Sequence, residues 1–321
     1  MLICLDVGGT VIKAAAVEQG GAVTGGITSY PAMADLDKEP LLDHIAEIIE
    51  KTAEGRAAEG LRFAFPGPFD YEKGISLMRG LQKYDSLYGV PLREALSERL
   101  ARLNLHPWCE APPEQDRTVS PISTSSISAA GRPNSETAHR PAMLFTNDVT
   151  AFALGHLNFG RAADSEKAMF VCVGTGCGSA FSEKRSIVTN EQVACLPEHG
   201  YIYNTPFLDS IIDDYISRRG IMELSEKMLG YRLDGKKLAA RAEQDEKALA
   251  CFLVFGKRLC AALEPYISSY MPDTLVLGGG IMKSAGLFIS PLRVLCSEKS
   301  CRLFIDENTS YFAIRGLSVL R

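Results

Sequence analysis

The chain has 321 residues, 46% hydrophobic and 23% charged, with a net charge of -5 at pH 7. That length and balance suit a soluble globular protein whose core is divided between two lobes. They exclude a basic surface built for nucleic-acid phosphates and, with no apolar run of ~18 residues, a membrane-spanning helix.

Residues 2–7, LICLDV, are apolar except for Asp6 and predict a buried strand. Residues 11–17 resume the pattern, so Gly8-Gly9 reads as a tight turn between two strands. Glycines there let backbone N–H groups approach a ligand, and Thr10 and Lys13 add a hydroxyl and a cation, as a polyphosphate requires. An ordinary hairpin uses the same turn. What points beyond it is Asp6, a carboxylate in a buried run that needs a cation.

Residues 22–30 predict a third strand. Leu41, Leu42, Ile45, Ile48 and Ile49 fall at helical spacing, so 41–58 predicts an amphipathic helix stopped by Gly60, with strand returning at 61–65. PGPFDYEKG, 66–74, is a turn-rich segment at a strand end, which is where open α/β sheets bind ligands and also where plain connections run. Leu92, Leu96, Leu100 and Leu103 mark a second helix begun by Pro91. From 106 to 141 proline, serine, threonine and alanine dominate, predicting a solvent-exposed excursion with Trp108 as a packing anchor at its edge.

Residues 143–146 predict a buried strand delivering Asn147-Asp148 to a helix over 149–157; the pair serves equally as an N-cap or as site residues. After a strand over 168–173, GTGCGSAF at 174–181 is a second candidate phosphate cradle. Leu208, Ile211, Ile212, Tyr215 and Ile216 form an apolar stripe that predicts a helix capped by Thr205-Pro206 and stopped by Gly220. A long helix over 245–267, a strand over 274–277, a glycine triplet at 278–280 and an apolar helix over 311–320 complete the chain. The triplet allows close approach of a ring or a sugar. The nine cysteines are odd in number and scattered, and neither Cys172/Cys177 nor Cys296/Cys301 has the partners of a zinc site. With no basic, apolar leader at residue 1, the expected compartment is the cytoplasm.

In order, LDVGGTVIK, FPGPFDYEKG, TNDVTAFALGH, VCVGTGCGSAF and LVLGGGI resemble the five motifs of the ROK family, bacterial sugar kinases and sugar-responsive repressors on the hexokinase/actin fold. The resemblance covers nearly all of the chain outside the excursion. It implies an α/β, two-lobed actin-like ATPase (ribonuclease H-like) fold, with a mixed five-stranded sheet flanked by helices in each lobe. The lobes are expected at 1–142 and 143–310, with the C-terminal helix, 311–321, packing back on the first. It further implies ATP and Mg2+ as cofactors, a sugar substrate and a homodimer. Asp6, Gly8, Gly9, Thr10 and Lys13 would hold the β- and γ-phosphates, with Asp6 holding Mg2+ through water. Gly174, Thr175 and Gly176 would hold phosphates from the other lobe, and Gly278, Gly279 and Gly280 would lie beside adenosine. Asp148 falls on the catalytic base, and Asn147 and Gly67 on sugar contacts.

The departures surround the sugar. Family members commonly carry a glutamate, then Gly-His, then a cysteine-rich zinc knuckle ending in a second sugar-binding glutamate. PEHGYI keeps Glu198 and Gly200, but Tyr201 stands at the zinc histidine and no cysteine occurs between Cys195 and Cys251, so no structural zinc is expected. Asp213 falls on the second glutamate, with Asp209 competing if the register slips, and Lys83 replaces the usual asparagine near the sugar. The resemblance therefore implies an ATP- and Mg2+-dependent, glucokinase-like hexose kinase. The alternative is a non-catalytic sugar sensor, although the family's repressors carry a DNA-binding segment ahead of the first hairpin, which here starts at residue 2.

Overall fold

The N-terminal apolar run folds, in a computed structural model describing residues 1–18, 20–80, 83–102 and 143–321, into β1 (Leu2–Val7) and β2 (Val11–Val17). They pair antiparallel, with Asp6 opposite Lys13. Side chains alternate across the sheet: Ile3, Leu5 and Val7 enter the core of the first lobe, and Cys4 faces the layer between the lobes. β3 (Val23–Pro31) adds antiparallel to β2, and β4 (Gly60–Phe65) runs parallel to β1. The fifth strand of this sheet, β7 (Met143–Asn147), hydrogen-bonds along β4 as its edge. The excursion at 106–141, with Trp108, lies outside the described residues.

Helices α1 (Lys38–Ala53) and α2 (Leu92–Arg102) cover the outer face, and β5 (Phe69–Asp70) and β6 (Ile75–Ser76) form a small hairpin beyond β4. α1 is shorter than its apolar spacing predicts because Glu54 and Gly55 turn left-handed, at φ 52° and 72°.

The second sheet repeats the first. β8 (Lys167–Val173), β9 (Cys177–Glu183) and β10 (Ser186–Val188) form an antiparallel meander, and β13 (Thr274–Gly278) and β14 (Arg302–Ile305) add in parallel. The order β10-β9-β8-β13-β14 matches β3-β2-β1-β4-β7 strand for strand. Its outer face is covered by α5 (Arg218–Leu229), α6 (Gly235–Ala242), α7 (Glu246–Tyr270) and α8 (Ser290–Glu298).

The helix expected at 208–216 does not form as one piece. Leu208 takes φ 55° in a tight hairpin between β11 (Pro206–Phe207) and β12 (Ser210–Ile211), leaving only the single turn α4 (Ile212–Tyr215). Ser217 then caps a new helix, α5, by accepting from Arg219 N–H. Gly220 lies inside α5, not at a stop; a Cβ there would come within 2.0 Å of Tyr215 O.

Between the sheets lie α3 (Asp148–Phe159) and α9 (Thr309–Leu317), packed on each other and on small residues of both sheets such as Ala15, Ala64, Ala168 and Ala180. Their backbones touch: a Cβ at Gly155 would fall 1.9 Å from Phe312 O, and one at Gly316 1.9 Å from Ala151 O. No described helix is long and apolar enough to cross a membrane.

Candidate active site

The parallel register sets the geometry of the first half of the site. Asp6 on β1 lies beside Ala64 on β4, which lies beside Thr146 on β7, so Asp6 and Asp148 emerge at the same carboxyl end of the sheet. Asn147 caps α3, its side chain accepting from Val149 N–H at 2.9 Å, and places Asp148 on the first helical turn. Of the two readings of Asn-Asp, the N-cap is met, and the cap fixes where the acid stands on α3.

Asp148 is part-buried. Burial, followed by the nearby Asp6 charge, raises its carboxyl to about 6; the Val149 N–H and the Lys83 charge pull the other way. Burial also raises Asp6, against a hydrogen bond from Ser310 and the charge of Lys13. Two enclosed acids acting on each other form a place where a divalent cation with bound phosphates is welcome.

The glycine turn between β1 and β2 is closed by Gly8 N–H donating to Val11 O at 3.0 Å, and it leaves Gly9 and Thr10 exposed. A Cβ at Gly8 would lie 2.8 Å from Val11 O, so the close turn requires glycine. Tyr84 buttresses it, donating its hydroxyl to Gly8 O at 2.7 Å. Lys13 donates to Ser310 Oγ at 2.8 Å, which ties the first hairpin to the start of α9.

The second sheet supplies the facing half. Gly174 N–H donates to Gly176 O at 2.9 Å across the β8–β9 turn, and Gly174 O accepts from Arg218 N–H at the start of α5. Gly279 takes φ 97°, and a Cβ there would meet Val173 O at 2.3 Å, whereas one at Gly280 would meet nothing within 4 Å. Gly278 is closed in by Phe152 and Thr309, and Gly279 N–H donates to Thr309 Oγ1 at 2.7 Å. Thr175 is exposed at the tip of the β8–β9 turn, and a Cβ at Gly174 would lie 3.9 Å from Gly280 N, so that turn and the triplet are neighbours.

The residues expected at a sugar divide. Asn147 Nδ2 donates to the Tyr71 hydroxyl at 3.2 Å, Tyr71 donates onward to Phe65 O at 3.0 Å, and exposed Gly67 adjoins the same hydroxyl. Burial raises the Tyr71 and Tyr201 hydroxyls, and the charge of Asp148 acts on both, which puts them around the acid. Tyr203 joins them, its ring centroid 6.1 Å from that of Tyr201. Glu198 instead faces solvent, with a side chain 78% exposed and its carboxylate 3.9 Å from His199 Nε2. Asp213 braces the second glycine turn, accepting from Cys177 N–H at 2.5 Å and pairing with Arg219. The competing Asp209 accepts from the Tyr215 hydroxyl. Lys83 lies over the first glycine turn, where a Cβ at Gly9 would come 3.3 Å from its Cδ.

Thr309, Ser310, Tyr71 and Tyr203 carry contacts that sequence reading did not find. Only Tyr201 had a signal, as the residue standing at a vanished zinc ligand. Among the described residues, no group of three or more His, Cys, Asp or Glu side chains could hold a metal ion by itself.

A glucokinase of Thermotoga maritima is 23% identical over 314 residues, covering 91% of this chain and 86% of that protein. The structure of a ROK family glucokinase from Streptomyces griseus, in complex with glucose and AMPPNP, superposes with a TM-score of 0.70 at 15% identity, over 99% of this chain and 97% of that one. A ROK family transcriptional regulator, a homologue of the E. coli MLC protein, gives a TM-score of 0.71 at 14% identity, over 99% of this chain and 77% of that one. These likenesses establish the α/β, two-lobed actin-like architecture and no more, since a kinase and a regulator share it. A sequence model of the ROK family, however, matches residues 135–305, from just ahead of β7 to the end of β14. Covering more than half of the chain, that match makes this protein a member of the ROK family.

Proposed function

We propose that this protein is an ATP- and Mg2+-dependent kinase that phosphorylates a hydroxyl of a hexose or hexose derivative. The observation that most supports this reading is Asp148, an acid held on the first turn of α3 by its helix cap, raised to about 6 and within reach of the Asp6 charge. At pH 7 such a group is mainly carboxylate, yet basic enough to take a proton.

The acceptor hydroxyl gives its proton to Asp148 as its oxygen bonds to the γ-phosphorus. The bond from that phosphorus to the bridging oxygen breaks, and its electron pair leaves with ADP. When bound, Mg2+ would neutralise phosphate charge and orient the phosphates through water held by Asp6. The turn at Gly8, Gly9 and Thr10 with Lys13, and the facing turn at Gly174, Thr175 and Gly176, supply N–H and ammonium donors to the phosphates. Of the triplet expected beside adenosine, exposed Gly280 would offer the open backbone for the ring, while Gly278 and Gly279, packed on Phe152, Thr309 and Val173, would hold that segment in place. On the sugar side, Asn147 and the Tyr71 hydroxyl offer a joined polar edge beside Gly67, and Tyr71, Tyr201 and Tyr203 offer rings with polar tips. Glu198 would reach the sugar only by movement of its turn, and Asp213 would act by holding the second glycine turn in shape.

ATP consumption measured over a panel of hexoses, N-acylated amino sugars and uncharged controls tests the reading. The expected result is turnover that requires one class of sugar. Sugar binding without turnover would favour the non-catalytic sensor, whose fold is equally close. ATP turnover indifferent to sugar would overturn both.

A further inference from the structure

Lys83 is held to the first glycine turn by its neighbour. Tyr84 is buried, takes φ 59°, packs its ring 5.4 Å from that of Phe65, and accepts a backbone tether by donating its N–H to Ala34 O at 2.6 Å. Its hydroxyl then grips Gly8 O at 2.7 Å, so the residue just before it starts beside the turn. The Lys83 stem lies on the Gly9 face, with Cδ 3.3 Å from where a Cβ of Gly9 would stand. The residue is half-buried, and its ammonium, two bonds farther on, makes no hydrogen bond or ion pair with a described residue. Lys13, the other cation of the hairpin, is by contrast already donating to Ser310 Oγ. The positive charge of Lys83 is felt at Asp148, so it stands within electrostatic reach of that acid.

That location has a chemical need. A phosphoryl group crossing from the turn to an acceptor hydroxyl at Asp148 passes two acids, Asp6 and Asp148, whose charges repel it. A cation held near both turn and base offsets that repulsion most while charge is spread over the moving group. We propose that Lys83 contacts the terminal phosphoryl group of the nucleotide during its transfer from the first glycine turn to the acceptor, and not the sugar. The role rests on the kinase reading, and the step is the transfer already written: one P–O bond forms, one breaks, and Lys83 keeps its protons throughout.

The test uses the full chain with Lys83→Met and Lys83→Arg. Calorimetry compares Mg2+ with the non-hydrolysable β,γ-imido analogue of ATP against Mg2+ with ADP, and steady-state kinetics are run with the sugar that gives turnover. Loss of one charge-assisted contact is expected to weaken triphosphate analogue binding about tenfold in Lys83→Met. Diphosphate binding should change less than about twofold, and kcat should fall about 10²-fold with the sugar KM held. Lys83→Arg should recover most of the triphosphate binding. A raised sugar KM with kcat and triphosphate binding intact would overturn the proposal and return Lys83 to the sugar. Unchanged behaviour throughout would overturn it in favour of a surface lysine. If wild type shows no sugar-dependent turnover but Lys83→Met still loses the triphosphate preference, the kinase reading fails while the phosphate contact stands. Absence of nucleotide binding in wild type would overturn both.

Discussion

The two sheets share strand order and polarity, and each ends its first hairpin in a glycine turn, yet the turns are built differently. The first carries its charge within the hairpin, with Asp6 facing Lys13 in register. The second has only backbone and Thr175 at its tip, and its charge comes from behind, where Asp213 takes Cys177 N–H and Arg219. The first turn has a flexible lysine stem laid over it, while the second has a fixed carboxylate wedged beneath it. On the proposed reading, the repeated scaffold presents one phosphate surface ready for chemistry and another suited to plain grip.

The sharpest way to break that contrast is at the acid that only the first sheet supplies. Asp148→Asn keeps the shape but cannot take a proton, so phosphoryl transfer should fall by about 10²–10⁴ with sugar affinity changed only a few-fold. Turnover at the wild-type level would remove Asp148 from the mechanism.

The same acid predicts a pH profile. The carboxylate is the active form, and its ionisation is raised to about 6, so kcat/KM should fall tenfold per pH unit below that value and level off above it. An acid limb near pH 4, the ordinary range for aspartate, would contradict the enclosed environment described for it.

Alanine in each turn sharpens the comparison between them. At Gly176 the new Cβ would stand 2.9 Å from Asp213 Oδ1, and that carboxylate is fixed on both sides; at Gly9 it meets only the Lys83 stem, at 3.3 Å. Gly176→Ala should weaken ADP binding about tenfold, and Gly9→Ala no more than about threefold, since a flexible stem yields where a locked group does not. Equal losses in calorimetry would show that the two turns grip alike.

The smallest expected effect is none. With Tyr201 in place of the family's zinc histidine and no cysteine between Cys195 and Cys251, chelator should leave Tm unchanged and metal analysis should find no stoichiometric zinc. One zinc per chain would overturn this expectation.

The motifs legible in the sequence were those in which local chemistry and ligand chemistry coincide. A glycine turn after a buried acid, or an Asn-Asp pair at a strand end, is compressed into a few adjacent positions. Thr309 and Ser310 were not legible because their partners are remote: Ser310 meets Lys13 across 297 positions, and the pair reads simply as the polar start of a terminal helix. The stripe at 208–216 misled because apolar spacing survives interruption. Leu208 at positive φ and the Ser217 cap break the helix, while Ile212, Tyr215 and Ile216 still reach one core. Which sheet β7 joins was not legible, because a strand's own residues do not name its partner; the pairing of Met143 with Leu61 does.

The backbone contact at Gly155 and Gly316 makes α3 and α9 an axle between the lobes. Asp148 begins one half of that axle and the Thr309-Ser310 pair begins the other. Neither helix can slide or roll on its neighbour without driving carbonyl oxygens into it, so the contact holds the acid, the Lys13 tether and the Gly279 tether in one packed unit. In hydrogen exchange, the amides of the two helices should therefore open with a common free energy. Separate opening energies would mean that the axle is two parts, and that Asp148 and the two tethers are free to drift apart.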